Sequence, residues 1–159
     1  MWLLAGLALL SLAACATVGG GDEPKPRAAR TQVDERRPAE RAAQQAINMV
    51  GKPYKYGGSN PAGFDCSGLV QFSFKQAGVK LPRSTEEQRR AARKVRASAL
   101  QPGDLLFFDQ EGKKHGHVGI YVGRGEFVHA PSSGKRVRRD AVDSPYWQKH
   151  LTEVRRINV

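Results

Sequence analysis

The sequence predicts an α+β domain whose N-terminal helices pack on an antiparallel β-sheet, and three observations predict it. Residues 38–92 carry helix signals, with Pro at a first-turn position, an apolar arc at helical spacing and a capping box. Beyond residue 100 the chain turns to short β-branched and aromatic runs divided by Gly, Pro and charged turns. At 159 residues and 40% hydrophobic content the chain suits one compact domain plus ends.

The first 14 residues, MWLLAGLALLSLAA, are apolar apart from Ser11 and too short to span a bilayer as a mature helix. They suit the h-region of a signal peptide, with the start amine as the only positive charge before it. Leu12–Cys15, LAAC, resembles the bacterial lipobox, which implies acylation of Cys15 and a membrane anchor through it. Ala16 rather than Asp after that cysteine implies sorting to the outer membrane of a Gram-negative envelope, facing the periplasm. Residues 16–37 are rich in Gly, Pro, Ala and charge without apolar periodicity, and read as a flexible tether with a reach of about 25 Å. The expected organisation is a signal peptide at 1–14, a lipidated cysteine and tether at 15–37, and a folded domain at 38–159.

Every charged side chain lies after Cys15, so the net charge of +11 belongs to the mature chain. Basic clusters stand at Arg89–Arg96 and Lys135–Arg139. They read either as a solvated face or as attraction to an anionic polymer or phospholipid; export makes nucleic acid an unsuitable partner.

Within the domain, PAERAAQQAINMVG (Pro38–Gly51) reads as a helix and KPYKYGGSNPAG as a turn-rich loop. From Cys66 to Ala77, Leu69, Val70, Phe74 and Ala77 fall within about 140° of helical arc, with Gly78 as the stop. Cys66 projects onto the same face, and Asp65 is a good N-cap. Ser84 and Glu87 form a capping-box pattern that opens a short basic helix. Strands are expected at Asp104–Asp109, His117–Gly123, Glu126–Ala130 and Thr152–Ile157, with a short helix at Ser144–His150. There is no internal repeat, P-loop or dinucleotide fingerprint.

If Cys15 is lipidated, Cys66 has no intramolecular disulfide partner in a compartment that oxidises thiols. A buried structural thiol is one account of it. The other is a nucleophile, because a helix N-terminus and a nearby imidazolium both lower a thiol pKa. Four histidines are available, His115, His117, His129 and His150. A three-residue loop at Gly123–Gly125 would pair Val122 with Glu126 and set His129 opposite Gly119. His117 and His129 then share a face as diagonal neighbours, their α-carbons roughly 7–8 Å apart, with the small Gly119 leaving room for both rings. A two-residue loop at Arg124 and Gly125 would instead send them to opposite faces; Gly125 favours the three-residue loop, where a left-handed residue is needed. The same-face arrangement places Cys66 as nucleophile, His117 as general base and then acid, and His129 as the residue that orients His117. A zinc site built from His115, His117, Cys66 and His129 is the competing reading, and His115 and His150 otherwise read as surface histidines.

The stretches GKPYKYGG, FDCSGLVQ, LPRSTEEQ, PGDLLFF, HVGIYVG, FVHAPSSG and SPYWQKH, in this order from about residue 40 to 157, resemble the NlpC family of bacterial papain-like cell-wall peptidases. Within that family the chain resembles the Spr-type murein endopeptidase lipoproteins. The resemblance implies a papain-like core, with Cys66 matching the nucleophile, His117 the base and His129 the third polar residue. Tyr54 matches a tyrosine that supports the oxyanion region, and Asp65, Ser67 and Arg83 match residues that shape the substrate-binding site. It implies no cofactor and no metal, and hydrolysis of peptidoglycan cross-links between D-alanine and diaminopimelate. Cleavage between γ-D-glutamate and diaminopimelate is the alternative, followed by a catalytically silent wall-binding lipoprotein. A monomer is expected, with room for a protein adaptor.

Overall fold

The structure is a computed structural model that describes residues 37–110 and 112–159. The expected signal peptide, the Cys15 expected to be lipidated and nearly all of the expected tether lie outside the described residues. Among the described residues no helix is long and apolar enough to cross a membrane.

Helix α1 (Pro38–Asn48) starts with Pro in its first turn and presents Ala42, Ala43 and Ala46 to the core. Two short strands, β1 (Ser59–Asn60) and β2 (Gly63–Phe64), make a tight hairpin within the expected loop. It leads directly into α2 (Cys66–Gln76), which is capped by Asp65. Helix α3 (Thr85–Ala91) carries the full capping box of Ser84 and Glu87. A single sheet follows, comprising β3 (Arg93–Val95), β4 (Leu105–Gln110), β5 (Lys113–Gly123), β6 (Glu126–His129), β7 (Arg138–Ala141) and β8 (Leu151–Arg156). Helix α4 (Pro145–His150) comes just before β8. The sheet is antiparallel throughout, with spatial order β3-β8-β4-β5-β6-β7.

Strand β4 is buried on both faces, because successive side chains of a strand point to opposite sides. Leu105 and Phe107 join Val118, Ile120 and Val128 beneath the helices, together with Leu69, Val70 and Phe74 of α2. Leu106 and Phe108 join Phe127, Val154 and Trp147 of α4 on the other side. The apolar arc read from the sequence is the buried face of α2, with Leu69, Val70, Phe74 and Ala77 all at most 3% exposed. The sheet is therefore the shared wall of two apolar clusters, with α2 on one side and α4 on the other.

The β5–β6 turn differs from expectation. Arg124 and Gly125 form a two-residue loop with φ of 55° and 75°, the left-handed pair that matches the twist of adjoining strands. Alone, this loop would have reversed the facing of β6. An extra residue, Val122, sits as a bulge between the pairs Tyr121↔Phe127 and Gly123↔Glu126 and restores the parity. The pairs Ile120↔Val128 and Tyr121↔Phe127 accordingly follow the expected register.

Candidate active site

Asp65 fixes the start of α2. Its Oδ1 accepts the Gly68 N–H at 2.7 Å, the N-cap bond, while Oδ2 accepts the Gly57 N–H at 3.0 Å and pairs with the Arg83 guanidinium. Arg83 also donates to Ser67 Oγ at 2.8 Å. Asp65, Ser67 and Arg83 thus form one clamp around the first turn of the helix that carries Cys66. The backbone must come very close here: a Cβ on Gly68 would drive into the carbonyl oxygen of Gly58, which accepts the Asp65 N–H. Tyr54 is half-buried against the same apolar cluster as Cys66, and its N–H bonds the Lys135 carbonyl.

The Cys66 sulfur lies 3.8 Å from Thr85 Oγ1 and takes a hydrogen bond from the backbone N–H of Val118, the residue after His117. The lowered thiol pKa expected from the helix start is not what the structure gives. Burial pushes the Cys66 thiol up, and the nearby Thr85 hydroxyl and the N–H groups of Val118 and Ser67 offset that only in part. Cys66 is a free thiol in this structure.

His117 and His129 share a face of the sheet and are almost completely enclosed, at 2% and 0% exposed. His117 Nε2 lies 2.8 Å from His129 Nδ1, and the rings meet edge to face. The space over Gly119 is filled by the Phe127 ring rather than by the imidazoles. His115 is separate from the pair, with its Nδ1 on Thr152 Oγ1 at 2.7 Å. The His150 ring packs beside Tyr146 at the end of α4. Among the described residues no group of three His, Cys, Asp or Glu side chains converges as metal ligands would.

Beyond His129 comes a residue that the sequence reading missed. His129 Nε2 lies 3.0 Å from Asp140 Oδ2, which also accepts from Trp147 Nε1 and Arg138 Nη2, each at 2.8 Å. The Trp147 indole stacks on His117 at 5.7 Å between centroids and meets His129 edge-on. A parity signal was present: Asp140 pairs with Phe127 and Arg138 with His129, so both lie on the histidine face. It stayed hidden because the strand bearing it was read as part of a basic cluster.

Burial lowers His117 to about 3, helped by the neighbouring imidazole. Burial likewise lowers His129 to about 4 against the pull of Asp140. For Asp140 burial works the other way, but hydrogen bonds from Arg138, Trp147 and His129 outweigh it and keep the carboxyl below its usual range. At neutral pH the row therefore reads imidazole, imidazole, carboxylate, with the Cys66 thiol hydrogen-bonded to the N–H of Val118, the residue after His117. The chemistry such a row can perform is removal of the thiol proton at the moment of attack.

The sequence from residue 51 to 156 matches the model of the NlpC/P60 family. The chain belongs to that family. It is 46% identical over 121 residues to the bifunctional muramidase/DL-endopeptidase CwlT of Bacillus subtilis, covering 74% of this chain and 36% of that protein. It is 43% identical over 118 residues to the murein DD-endopeptidase MepS/murein LD-carboxypeptidase of Escherichia coli, covering 74% and 62%. An NLP/P60-family lipoprotein-like crystal structure from Staphylococcus aureus superposes with a TM-score of 0.67 at 35% identity, over 77% of this chain and 42% of that one. The papain-like NlpC/P60 fold expected from the sequence is thereby established. The chain spans between about a third and three fifths of the length of the curated relatives it matches.

Proposed function

We propose that the protein is a thiol endopeptidase of peptidoglycan that cleaves the cross-link between D-alanine and diaminopimelate. The observation that carries this reading is the Cys66 thiol at the start of α2, hydrogen-bonded to the N–H of Val118, the residue that follows the His129-bonded His117 in β5. Cys66 Sγ attacks the scissile carbonyl carbon while its proton passes to His117. N–H groups at the start of α2 and the Tyr54 hydroxyl stabilise the oxyanion. His117 then protonates the leaving amine, which departs and leaves a thioester. Water attacks that thioester, giving its proton to His117, and the thiol is regenerated as the new carboxylate leaves. Asp65, Ser67 and Arg83 hold the helix start in place and border the substrate cleft.

The bond assignment draws on the DD-endopeptidase names of relatives such as MepS. The 46% identity to CwlT, whose name carries a DL-endopeptidase activity, favours a second reading, cleavage between γ-D-glutamate and diaminopimelate. Digestion of purified sacculi with the full chain, followed by mass spectrometry of the new termini, separates the two: a new D-alanine carboxylate supports the first, a new D-glutamate γ-carboxylate the second. Cys66→Ala should abolish the products while leaving the circular dichroism unchanged, and full activity in that variant would overturn the enzyme reading.

The placement proposed is the periplasmic face of the outer membrane, through acylation of Cys15 and the tether that follows. Labelled palmitate should enter the wild type and not Cys15→Ala; an unlabelled wild type in a lipoprotein-competent host would remove this placement.

A further inference from the structure

We propose that Asp140 is a positioning residue that fixes the tautomers of both histidines, so that His117 turns a bare Nδ1 lone pair toward the Cys66 thiol. Its effect on rate rests on the thiol-endopeptidase reading above. An ionised carboxylate only accepts hydrogen bonds, so the 3.0 Å contact between Asp140 Oδ2 and His129 Nε2 requires the proton to sit on that nitrogen. A neutral imidazole protonated at Nε2 offers only an acceptor at Nδ1. The 2.8 Å contact therefore has His117 Nε2 donating and His129 Nδ1 accepting. With the His117 proton placed on Nε2, its Nδ1 is unprotonated and is the one ring nitrogen left for the sulfur. Three one-way steps thus carry the sense of a surface carboxylate to the nucleophile.

The reverse sense is equally good for the two rings taken alone. Protons on His129 Nδ1 and His117 Nδ1 would keep the same 2.8 Å bond but point an N–H at the sulfur, where no base would remain. Only a group beyond His129 can break this tie, and Asp140 is the group there. Its own orientation is fixed by two side chains that can only donate, the Arg138 guanidinium from β7 and the Trp147 indole from α4. The Trp147 ring then covers His117 and holds its plane. When Cys66 attacks, the thiol proton adds to His117 Nδ1. The resulting imidazolium keeps its Nε2–H on His129, and the carboxylate opposes the new charge from the end of the row.

The test is ¹⁵N NMR of the histidines in the full chain at neutral pH, together with kinetics on muropeptides released from sacculi. Wild type should show His117 and His129 both neutral and both protonated at Nε2. Asp140→Ala should give mixed tautomers and lower kcat roughly 10²- to 10⁴-fold with little change in KM. Asp140→Asn, whose amide oxygen can still accept from His129, Arg138 and Trp147, should restore the wild-type tautomers and much of the rate. An Nδ1–H on either ring of the wild type would overturn the proposal. So would unchanged nitrogen signals or a wild-type kcat in Asp140→Ala, or an Asp140→Asn no better than Ala. The wild-type spectrum decides even if a variant fails to fold. A wild type inactive on sacculi would overturn the endopeptidase reading alone, since the tautomer assignment is read from the nitrogens without substrate.

Discussion

His129 works with both of its nitrogens, one toward His117 and one toward Asp140. Replacement by Asn or Gln keeps an acceptor for His117 Nε2–H, whereas Ala removes it. Activity should therefore fall in the order wild type, then Asn or Gln, then Ala, as kcat on muropeptides would show; equal losses in all three would mean that His129 does not orient the base. The same burial that encloses the pair sets the pH response. Since His117 is lowered to about 3 and the thiol is raised, neither group changes charge near the usual histidine value of about 6.5. The rate of alkylation of Cys66 by iodoacetamide should thus climb steadily from about pH 5 to about pH 8, by about tenfold per pH unit as the thiolate fraction grows, and a step or plateau near 6.5 would contradict a neutral pair. At this scale the sequence made Cys66, His117 and His129 legible, because strand parity and a helix cap need only spacing. Asp140 was not legible: in RVRRD it is one charge in a charged run, and its role depends on which residues its strand faces.

At the scale of elements, the start of α2 depends on close backbone approach. Gly68→Ala should cost about 2–3 kcal/mol in urea unfolding and reduce activity further by displacing the first turn, because neither the Gly58 carbonyl nor the Asp65 clamp can yield easily. The same variant at wild-type stability would mean that the approach is looser than described. Most helices and the central strands were readable from caps and apolar runs, among them the capping box of α3 and the LLFF core of β4. The strands that escaped the sequence reading include β3 and β7, with sequences RKV and RRDA. Both lie at the edges of the sheet. Edge strands are protected from pairing with other chains by charge, so the alternation that betrays a strand is weakest there. The short β1–β2 hairpin was hidden for a simpler reason, since two-residue strands carry no period at all.

For the whole molecule, enclosing two neutral imidazoles ties folding to pH. The unfolded chain protonates each histidine near 6.5, whereas the folded chain resists protonation until about 3 for His117 and about 4 for His129. Below pH 6.5 the unfolded state therefore binds more protons, and stability falls as pH drops toward those folded values. At pH 5 the loss is about 2 kcal/mol for each ring acting alone. The midpoint of urea unfolding should fall between pH 7 and pH 5 in the wild type and much less in a His117→Gln, His129→Gln double variant; parallel curves would show that the rings are not the source. The register of the β5–β6 hairpin adds a constraint of another kind. The tight turn at Arg124 and Gly125 and the extra Val122 cancel each other, so the facing of everything downstream in β6 depends on Val122 being left out of the pairing. Deleting Val122 would remove the bulge and leave a regular hairpin in which Gly123↔Glu126, Tyr121↔Phe127 and Ile120↔Val128 still pair, so His129 would keep its face; one residue inserted between Phe127 and Val128 would instead turn His129 to the opposite face with every functional side chain still encoded. A Val122 deletion should therefore stay folded and active on sacculi, whereas a single residue inserted between Phe127 and Val128, folded by circular dichroism but inactive, would show a catalytic site lost by counting rather than by chemistry.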